Sequence, residues 1–238
     1  MHNLDVTMPV GRLVAERPGR ARALERLGID YCCGGRKSLA EVSAAKGLDV
    51  EAVLRALDAP GSEEETDDWV PARPAELAEV IVATHHAYLR RELPRLAGLM
   101  HKVAAHHGSA HPELLELDSV FHAFRTCMNS HMNQEEWFIF PLIRRLETAV
   151  ASDDIPASLA ELIRAAEHEH DQGGDALARM RALTGGYSPP PDACAAYRTL
   201  LAGLAELETD MHSHVHKENN ILFPEAIAAE AALRAASS

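Results

Sequence analysis

The strongest constraint on how this chain can fold is a motif that occurs twice with the same internal spacing. Both copies read H-x3-E-x4-F-P; the first begins at His131 and the second begins 83 residues later, at His214. A lone histidine precedes each copy at a similar distance, since His86 and His170 are 84 residues apart. Each half of this region is therefore predicted to be a helical hairpin, and the hairpin is repeated once.

Four long segments with helical periodicity make up the part of the chain that carries the repeat. Breakers separate them, such as Gly108-Ser109 and Gly185-Gly186, and alternating runs of β-branched residues are absent from the sequence. Long helices joined by short connections favour an antiparallel arrangement. The sequence therefore predicts an all-α fold whose main part is an antiparallel four-helix bundle, with helices over residues 75–107, 112–150, 156–183 and 192–234.

A small helical N-terminal domain, residues 1–58, is predicted ahead of the bundle domain, residues 75–238. Between them, residues 59–74 combine prolines, a glycine and an acidic run, which is a composition typical of a solvated linker. The N-terminal domain is too small to build a large core, so it is expected to lean on the bundle or on a partner. Ser38 and Glu41 have the spacing of a capping box. The short helices are predicted over residues 10–15, 20–27, 38–46 and 50–57.

The repeated motif predicts a metal site inside the bundle. Residues four positions apart lie on one face of a helix, so a histidine and a glutamate at that spacing can reach the same cluster. Imidazole with carboxylate suits iron or manganese, whereas a tetrahedral thiolate zinc site would need cysteines on these helices. Six ligands exceed the needs of one ion, so two ions are predicted, bridged by both glutamates and by an oxo or hydroxo group. The predicted ligands are His86, His131, Glu135, His170, His214 and Glu218.

Within each hairpin, we expect His86 to meet His131, and His170 to meet His214. The alternative for a single H-x3-E motif is an ion pair on a helix surface. Two copies in register favour the metal site, because the first copy lies on an apolar stripe and a buried charge without a partner costs several kcal/mol. The prolines that close the two copies predict either a kink just past the ligands or simple helix termination.

The other histidines are expected to lie off the ligand positions. Successive helical residues point about 100° apart, so only one of His85 and His86 is expected to face the core. Glu169, beside His170, is predicted to be solvated, or alternatively to accept a hydrogen bond from a ligand. Four further histidines are predicted to be exposed: His122, His168, His212 and His216.

The segment Asp30-Tyr31-Cys32-Cys33-Gly34-Gly35 carries the second chemical signal. Neighbouring cysteines form a disulfide only with a distorted backbone, and such a bond is easily reduced. Arg36 and Lys37 are expected to favour the thiolate forms of Cys32 and Cys33. The pair could bind a metal, a cluster or a redox partner, and the alternative is two structural thiols in a turn.

Charge and composition exclude several classes of protein. The formal net charge of −13 argues against sequence-independent nucleic-acid binding. No run of 18 apolar residues is present and the first ten residues do not read as a secretory signal, so neither a membrane span nor export is expected. Four cysteines, two of them adjacent, do not make a disulfide framework, which favours a reducing, cytoplasmic location.

The combination of DYCCGG in a short N-terminal domain with two H-x3-E motifs in a following bundle resembles the iron–sulfur cluster repair di-iron proteins. The resemblance covers nearly the whole chain. It implies a hemerythrin-like bundle, two non-haem iron ions held by the six ligands above, a cytoplasmic homodimer, and a functional role for Cys32 and Cys33. The implied clients are iron–sulfur proteins damaged by nitric oxide or peroxide. The adjacent His85 and His86 depart from the pattern by offering two candidates for one ligand.

Two other classes of function remain open at this point. One is enzymatic, a di-iron nitric oxide reductase or peroxidase in which the cysteine pair passes electrons to the metals. The other is binding alone, a hemerythrin-type carrier or sensor of oxygen or nitric oxide. The two carboxylates leave fewer histidines than an oxygen carrier is expected to use, and a carrier has no need of DYCCGG. Repair and reduction would use the same ligands, so the sequence does not separate them.

Overall fold

The computed structural model describes residues 4–58, 73–149 and 158–236. In these ranges the regular structure is helical, with one isolated antiparallel bridge between Pro9 and Ser38. The prediction of an all-α fold is therefore confirmed. Most of the predicted linker, residues 59–72, lies outside the described residues, as do residues 156 and 157 at the predicted start of the third long helix.

The N-terminal region contains four short helices around a small apolar core. The predicted capping box is present at the start of the third helix: Ser38 Oγ accepts from the Glu41 amide at 3.2 Å, and Glu41 Oε2 accepts from the Ser38 amide at 2.7 Å. The core includes the fully buried side chains of Leu13, Leu24 and Leu39. The helices are α1 (Val10–Glu16), α2 (Arg20–Arg26), α3 (Leu39–Ala45) and α4 (Val50–Leu57).

Four long helices follow, and three of them are interrupted by a single π-helical turn. The first comprises α5 (Pro74–Ile81), the first π turn (Val82–His86) and α6 (Ala87–His107). The second comprises α7 (Glu113–Gln134), the second π turn (Glu135–Ile139) and α8 (Phe140–Leu146). The third is α9 (Leu159–Leu183). The fourth comprises α10 (Ala195–Lys217), the third π turn (Glu218–Leu222) and α11 (Phe223–Ala236).

The long helices form a bundle with two apolar clusters along its length. α6 packs against α7 and α10, and α7 also packs against α9. One cluster contains Leu89, Met128 and Met211, and the other contains Ile81, Ile139 and Leu222. The predicted ligands fall between these clusters on every long helix, so a polar layer separates two apolar ones. Among the described helices, none combines the length and the apolar character that a membrane span requires.

Candidate metal centre

The structure brings all six predicted ligands together in the polar layer of the bundle. Each of these side chains is at most 1% exposed. They form two groups of four in which the ligand atoms lie within 4.8 Å of one another, and the two glutamates belong to both groups. The groups are His86, Glu135, His214 and Glu218, and His131, Glu135, His170 and Glu218.

The histidines pair between hairpins, and the predicted pairing within each hairpin is wrong. His86 Nε2 is 3.2 Å from His214 Nε2, and His170 Nε2 is 2.9 Å from His131 Nε2. The reason is the packing of the bundle, in which the first long helix lies against the fourth and the second lies against the third at the level of the ligands. Each histidine pair therefore takes one residue from each half of the repeat.

Each carboxylate contacts one histidine of either pair. Glu135 Oε2 is 3.3 Å from His86 Nε2 and 3.2 Å from His131 Nε2. Glu218 lies in the same way between the remaining two, with Oε1 at 3.0 Å from His214 Nε2 and Oε2 at 3.2 Å from His170 Nε2. The two carboxylates are therefore shared by the two imidazole pairs.

Several buried polar atoms in this layer lack a hydrogen-bond partner within the described residues. They are both carboxylate oxygens of Glu135, Oε2 of Glu218 and Nδ1 of His214. A buried carboxylate without compensation is strongly destabilising, so these oxygens are placed to receive positive charge, from the neighbouring histidines or from a bound cation. Burial opposes the ionisation of Glu218, but His214 and His170 hold its pKa well below the usual range. Burial and Glu218 also oppose the ionisation of Glu135, but His131 and His86 lower its pKa.

Three of the ligands are oriented through their other ring nitrogen. His86 Nδ1 is 2.7 Å from Glu136 Oε1, and His170 Nδ1 is 2.8 Å from Asn219 Oδ1. His131 Nδ1 is 2.8 Å from Glu169 Oε2, so Glu169 is an acceptor for a predicted ligand, as the alternative prediction had it, while its side chain remains 30% exposed. These acceptors place the ring proton on Nδ1 and leave the Nε2 lone pair facing inward.

Two of these acceptors escaped the sequence analysis, although the repeat contains the signal that identifies them. Glu136 and Asn219 each directly follow the glutamate of their motif, and each holds the lone histidine of its own half. Aligning the two copies one residue further would have shown that a polar side chain occupies this position in both.

His85 is also buried, so the expectation that only one of the adjacent histidines faces the core is wrong. It is 5% exposed and stacks on His214 with ring centroids 5.3 Å apart. Its Nδ1 is 2.9 Å from Asp210 Oδ1, and its Nε2 is 3.0 Å from Lys217 Nζ. The π turn explains the difference, because a wider turn reduces the angle between successive side chains. His216, predicted to be exposed, is also buried.

The π turns lie at the ligands in all three interrupted helices. The carbonyl of Glu135 accepts from the Phe140 amide, and the carbonyl of Glu218 accepts from the Phe223 amide, each five residues on. The proline after each phenylalanine has no amide proton to donate. The helix continues past Pro141 and Pro224, so these prolines do not terminate it. Single π turns in α-helices are frequent at functional sites.

The loop of residues 30–35, here called the cysteine loop, packs directly on the bundle beside this polar layer. Cys33 Sγ is 3.7 Å from the backbone oxygen of His170. The Asn220 side-chain amide donates to the carbonyls of Tyr31 and Cys32 at 3.2 and 3.0 Å. Glu218, Asn219 and Asn220 are consecutive, so one π turn supplies a predicted ligand, an acceptor for a second ligand and the anchor of the cysteine loop.

The expectation that Arg36 and Lys37 favour the thiolate does not hold for Cys32. Its contact with the Cys33 sulfur, its burial and the nearby Asp30 raise the pKa of the Cys32 thiol well above the usual value. Arg36 instead forms an ion pair with Glu167 of α9. Each of the four cysteines lies in the described part of the chain and is a free thiol.

Comparison with known proteins gives two family matches that together span both regions. Residues 78–226 match the family described as Hemerythrin HHE cation binding domain, and residues 6–60 match a Domain of Unknown function (DUF542). The chain is also similar to proteins named "Iron-sulfur cluster repair protein YtfE" from Escherichia coli O157:H7 and Shigella boydii serotype 4. Each is 32% identical over 222 residues, which cover 93% of this chain and 97% of the relative.

Proposed function

The chain belongs to the family of hemerythrin-type iron–sulfur cluster repair proteins, and from this premise we propose that it restores clusters damaged by nitrosative or oxidative stress. The proposal includes a centre of two iron ions held by His86, His131, Glu135, His170, His214 and Glu218. The observation that carries the proposal is the contact between the cysteine loop and the bundle motif. Asn220, in the π turn that supplies Glu218, donates a hydrogen bond to the cysteine loop.

The donor set fits two cations of the iron or manganese class. Four imidazole nitrogens and two carboxylates are ligands that these ions accept, and thiolates are absent from the six. With the ring protons on Nδ1, the inward Nε2 lone pairs of His131 and His170 face each other at 2.9 Å. Two lone pairs at this distance repel each other, and either a bound cation or a proton on one of the two rings relieves the repulsion. When bound, two iron ions supply both releasable ferrous iron and a redox-active centre for nitric oxide.

The protein's own residues hold this site and keep water out of it. Phe140 stacks on His86 and Phe223 stacks on His170, with ring centroids 5.8 and 6.1 Å apart. Both phenylalanines are at most 1% exposed and belong to the apolar cluster on that side of the layer. The acceptors on Nδ1 fix the ring orientations from the other direction. The ligands are therefore preorganised, and their geometry does not depend on an ordering step.

Reduction of nitric oxide is a second candidate, and a specific contact favours it. The Cys33 sulfur lies against the backbone of His170, where a dithiol could deliver two electrons and two protons as it becomes a disulfide. In this version the cysteines reduce the centre, and cluster repair follows from removal of nitric oxide. A homodimer is part of the proposal in both versions, and sedimentation of the full chain measures it.

Anaerobic mixing of the reduced, iron-loaded protein with nitric oxide separates the two versions. Repair by iron donation predicts that iron is released to a chelator and that a nitric oxide-treated iron–sulfur dehydratase regains activity. Reduction predicts one nitrous oxide for every two nitric oxide molecules, with iron retained. A protein that neither reactivates the dehydratase nor consumes nitric oxide would contradict both.

A further inference from the structure

A second group of metal-ligating atoms lies in the cysteine loop, outside the bundle layer. The carboxylate of Asp30 and the sulfurs of Cys32 and Cys33 lie within 4.8 Å of one another. Cys32 Sγ is 3.2 Å from Asp30 Oδ1 and 3.9 Å from Cys33 Sγ. Two sulfurs bound at about 2.3 Å to one tetrahedral ion would be about 3.8 Å apart. The two thiols therefore already have the separation that a shared ion requires.

The backbone holds these three side chains in place. Asp30 Oδ1 accepts from the amides of Cys32 and Cys33 at 2.9 and 3.0 Å, and Asp30 Oδ2 accepts from the Gly34 amide at 2.8 Å. Gly35 then passes so close to Asn220 that a Cβ atom would lie 2.1 Å from the Asn220 Oδ1 atom. The loop is thus fixed on the bundle, and a ligand would meet a preformed set of donors.

The loop opens into a cavity of about 500 Å³ whose walls carry an excess of acidic side chains. Asp171 and Asp175 of α9 and Glu25 of α2 line it. Arg181 lies on the same wall, where its Nε is 3.1 Å from Oε1 of Glu208, which compensates its charge. A concave surface with net negative charge raises the local concentration of cations. The cavity therefore favours entry of a metal ion over entry of an anionic thiol reagent.

We propose that Asp30, Cys32 and Cys33 form a transit site for one thiophilic divalent cation, the ferrous ion that the bundle centre takes up or gives up. This role rests on the proposed function. Binding replaces two S–H bonds by two metal–sulfur bonds and releases both protons to solvent, without any change in oxidation state. Three protein ligands leave a fourth position open, which suits an ion that arrives and leaves more than a permanent structural site. The contact of Cys33 with His170 places this site directly behind a predicted ligand of the centre.

Anaerobic titration of the iron-loaded full-length protein with Co²⁺ tests the site. Cobalt bound to thiolate gives a sulfur-to-metal charge-transfer absorption, which cobalt bound to imidazole and carboxylate does not give. We expect this absorption to saturate at one Co²⁺ per chain. The Cys32→Ser, Cys33→Ser double variant should lose it and keep its bundle iron, whereas the matched Cys127→Ser, Cys194→Ser double variant should retain it.

A second pair of variants tests the carboxylate. Asp30→Asn keeps an oxygen for the Cys32 and Cys33 amides and loses the acceptor for the Gly34 amide. An amide is also a poor metal ligand, so the apparent Co²⁺ affinity should fall by at least about tenfold. Asp175→Asn, on the same cavity wall, should change it by less than about threefold. Lack of the charge-transfer absorption in the unmodified protein, or its persistence in the Cys32→Ser, Cys33→Ser variant, would overturn the transit site.

The titration needs no client protein, so its result is independent of repair. Stoichiometric Co²⁺ binding by a protein that fails to reactivate a damaged dehydratase would overturn the proposed function and leave the site standing. Reactivation without Co²⁺ binding would overturn the site alone. Conversion of the pair to a disulfide during repair, with no thiolate-bound cobalt at any stage, would also overturn it and favour the role as electron donor.

Discussion

The two halves of the bundle carry the same predicted ligands but surround them with different neighbours. The residue after the motif glutamate is Glu136 in the first half and Asn219 in the second, and both hold a lone histidine. The residue before that lone histidine is His85 in the first half and Glu169 in the second. Glu169 accepts a hydrogen bond from His131, whereas the contact of His85 with His214 is a stacking of the two rings. The two halves share the predicted ligands and differ in the groups that contact them.

The consequence is that the two proposed metal positions have inequivalent surroundings. Burial alone would lower the pKa of His131, but Glu135, Glu169 and Glu218 raise it well above the usual value. Burial, together with the nearby His86, lowers the pKa of His214 although Glu218 opposes this shift. The Nδ1 atom of His214 has no hydrogen-bond partner in the described part of the chain. Both rings of the His131 and His170 pair have a hydrogen-bond acceptor at Nδ1. In the other pair, within the described residues, only His86 has one.

The outer faces of the two halves also differ. In the second half, Asn220 lies under the N-terminal domain and binds the cysteine loop. The corresponding residue of the first half is Trp137, which is 67% exposed and lies beside the exposed Phe138. The N-terminal domain therefore covers one of two related surfaces and leaves the other open.

The largest expected effect comes from removing a shared carboxylate. Glu135→Ala and Glu218→Ala should each reduce the iron content from about two ions per chain to less than one, because each glutamate contacts both histidine pairs. Glu225→Ala, an exposed glutamate of α11, is the control and should keep its iron. Metal analysis and the absorption of the oxidised centre measure this. Loss of a single ion in either variant would show that the carboxylate serves one position.

Substitution of the adjacent histidines tests the register of the repeat. His86→Ala should lose iron, because His86 is a predicted ligand. His85→Ala should keep its iron but unfold more easily, by about 1–3 kcal/mol, because Asp210 and Lys217 lose a buried hydrogen-bond partner. Iron content and thermal unfolding are measured on both. The reverse pattern would move the alignment of the two halves by one residue.

Stepwise removal of iron by a chelator tests the inequivalence of the two positions. We expect two phases, with the ion at His86 and His214 leaving first. Glu169→Ala removes the acceptor that orients His131 and should weaken the other position by about 10- to 100-fold, so that the two phases merge. Single-phase release from the unmodified protein would mean that the different neighbours do not affect the ions.

A pair of substitutions, one on each outer face, tests whether the N-terminal domain covers only the face that contains Asn220. Asn220→Ala removes two hydrogen bonds to the cysteine loop and should destabilise the docked N-terminal domain by about 1–3 kcal/mol. Trp137→Ala, at the corresponding exposed position, should change stability by less than about 0.5 kcal/mol. Hydrogen exchange of residues 30–36 reports the docking. Equal protection in both variants would show that Asn220 does not hold the loop.

The smallest effect concerns pH and Glu25, which links α2 to α10. Glu25 accepts from the Tyr31 hydroxyl at 3.0 Å and lies 3.6 Å from His212 Nδ1. Burial opposes its ionisation, but His212 and Tyr31 lower its pKa below that of an ordinary glutamate. A lowered pKa contributes stability above about pH 4.3 that is lost as the pH falls through the folded value. Unfolding of Glu25→Gln should therefore differ from the unmodified protein by less than about 1 kcal/mol at pH 7, and converge with it in acid.

The sequence predicted the fold well because the signals for it are local. Helical periodicity, the capping box at Ser38 and the glycine and proline breakers each act within a few residues, and the helices begin and end close to the predicted positions. The convergence of the six His and Glu side chains also follows from local spacing, since i and i+4 share a face. The partner of each histidine depends instead on which helices are neighbours, and there the prediction failed.

The missed features share a cause, since each depends on geometry that spacing alone does not contain. His85 is buried because a π turn changes the angle between successive residues. The repeat shows that Glu136 and Asn219 occupy equivalent polar positions, but their contacts with His86 and His170 cross between helices and appear only once the helices are packed. The close packing of the cysteine loop on the bundle depends on Gly11 and Gly35, because a Cβ atom at either position would collide with Asn220. Nothing near those glycines in the sequence identifies the bundle as their neighbour.

The π turns also determine the phase of each helix beyond the ligands. Five residues of ordinary α-helix rotate about 140° past a full turn, so a glutamate and a phenylalanine at that spacing would point to different sides. In the second and fourth long helices, the wider turn absorbs the surplus residue and both side chains stay inside. The number of residues between the glutamate and the phenylalanine therefore determines whether both side chains face the bundle interior. The length of this four-residue spacer, more than the identity of its residues, keeps the polar layer and the apolar cluster beyond it on the same face of the helix.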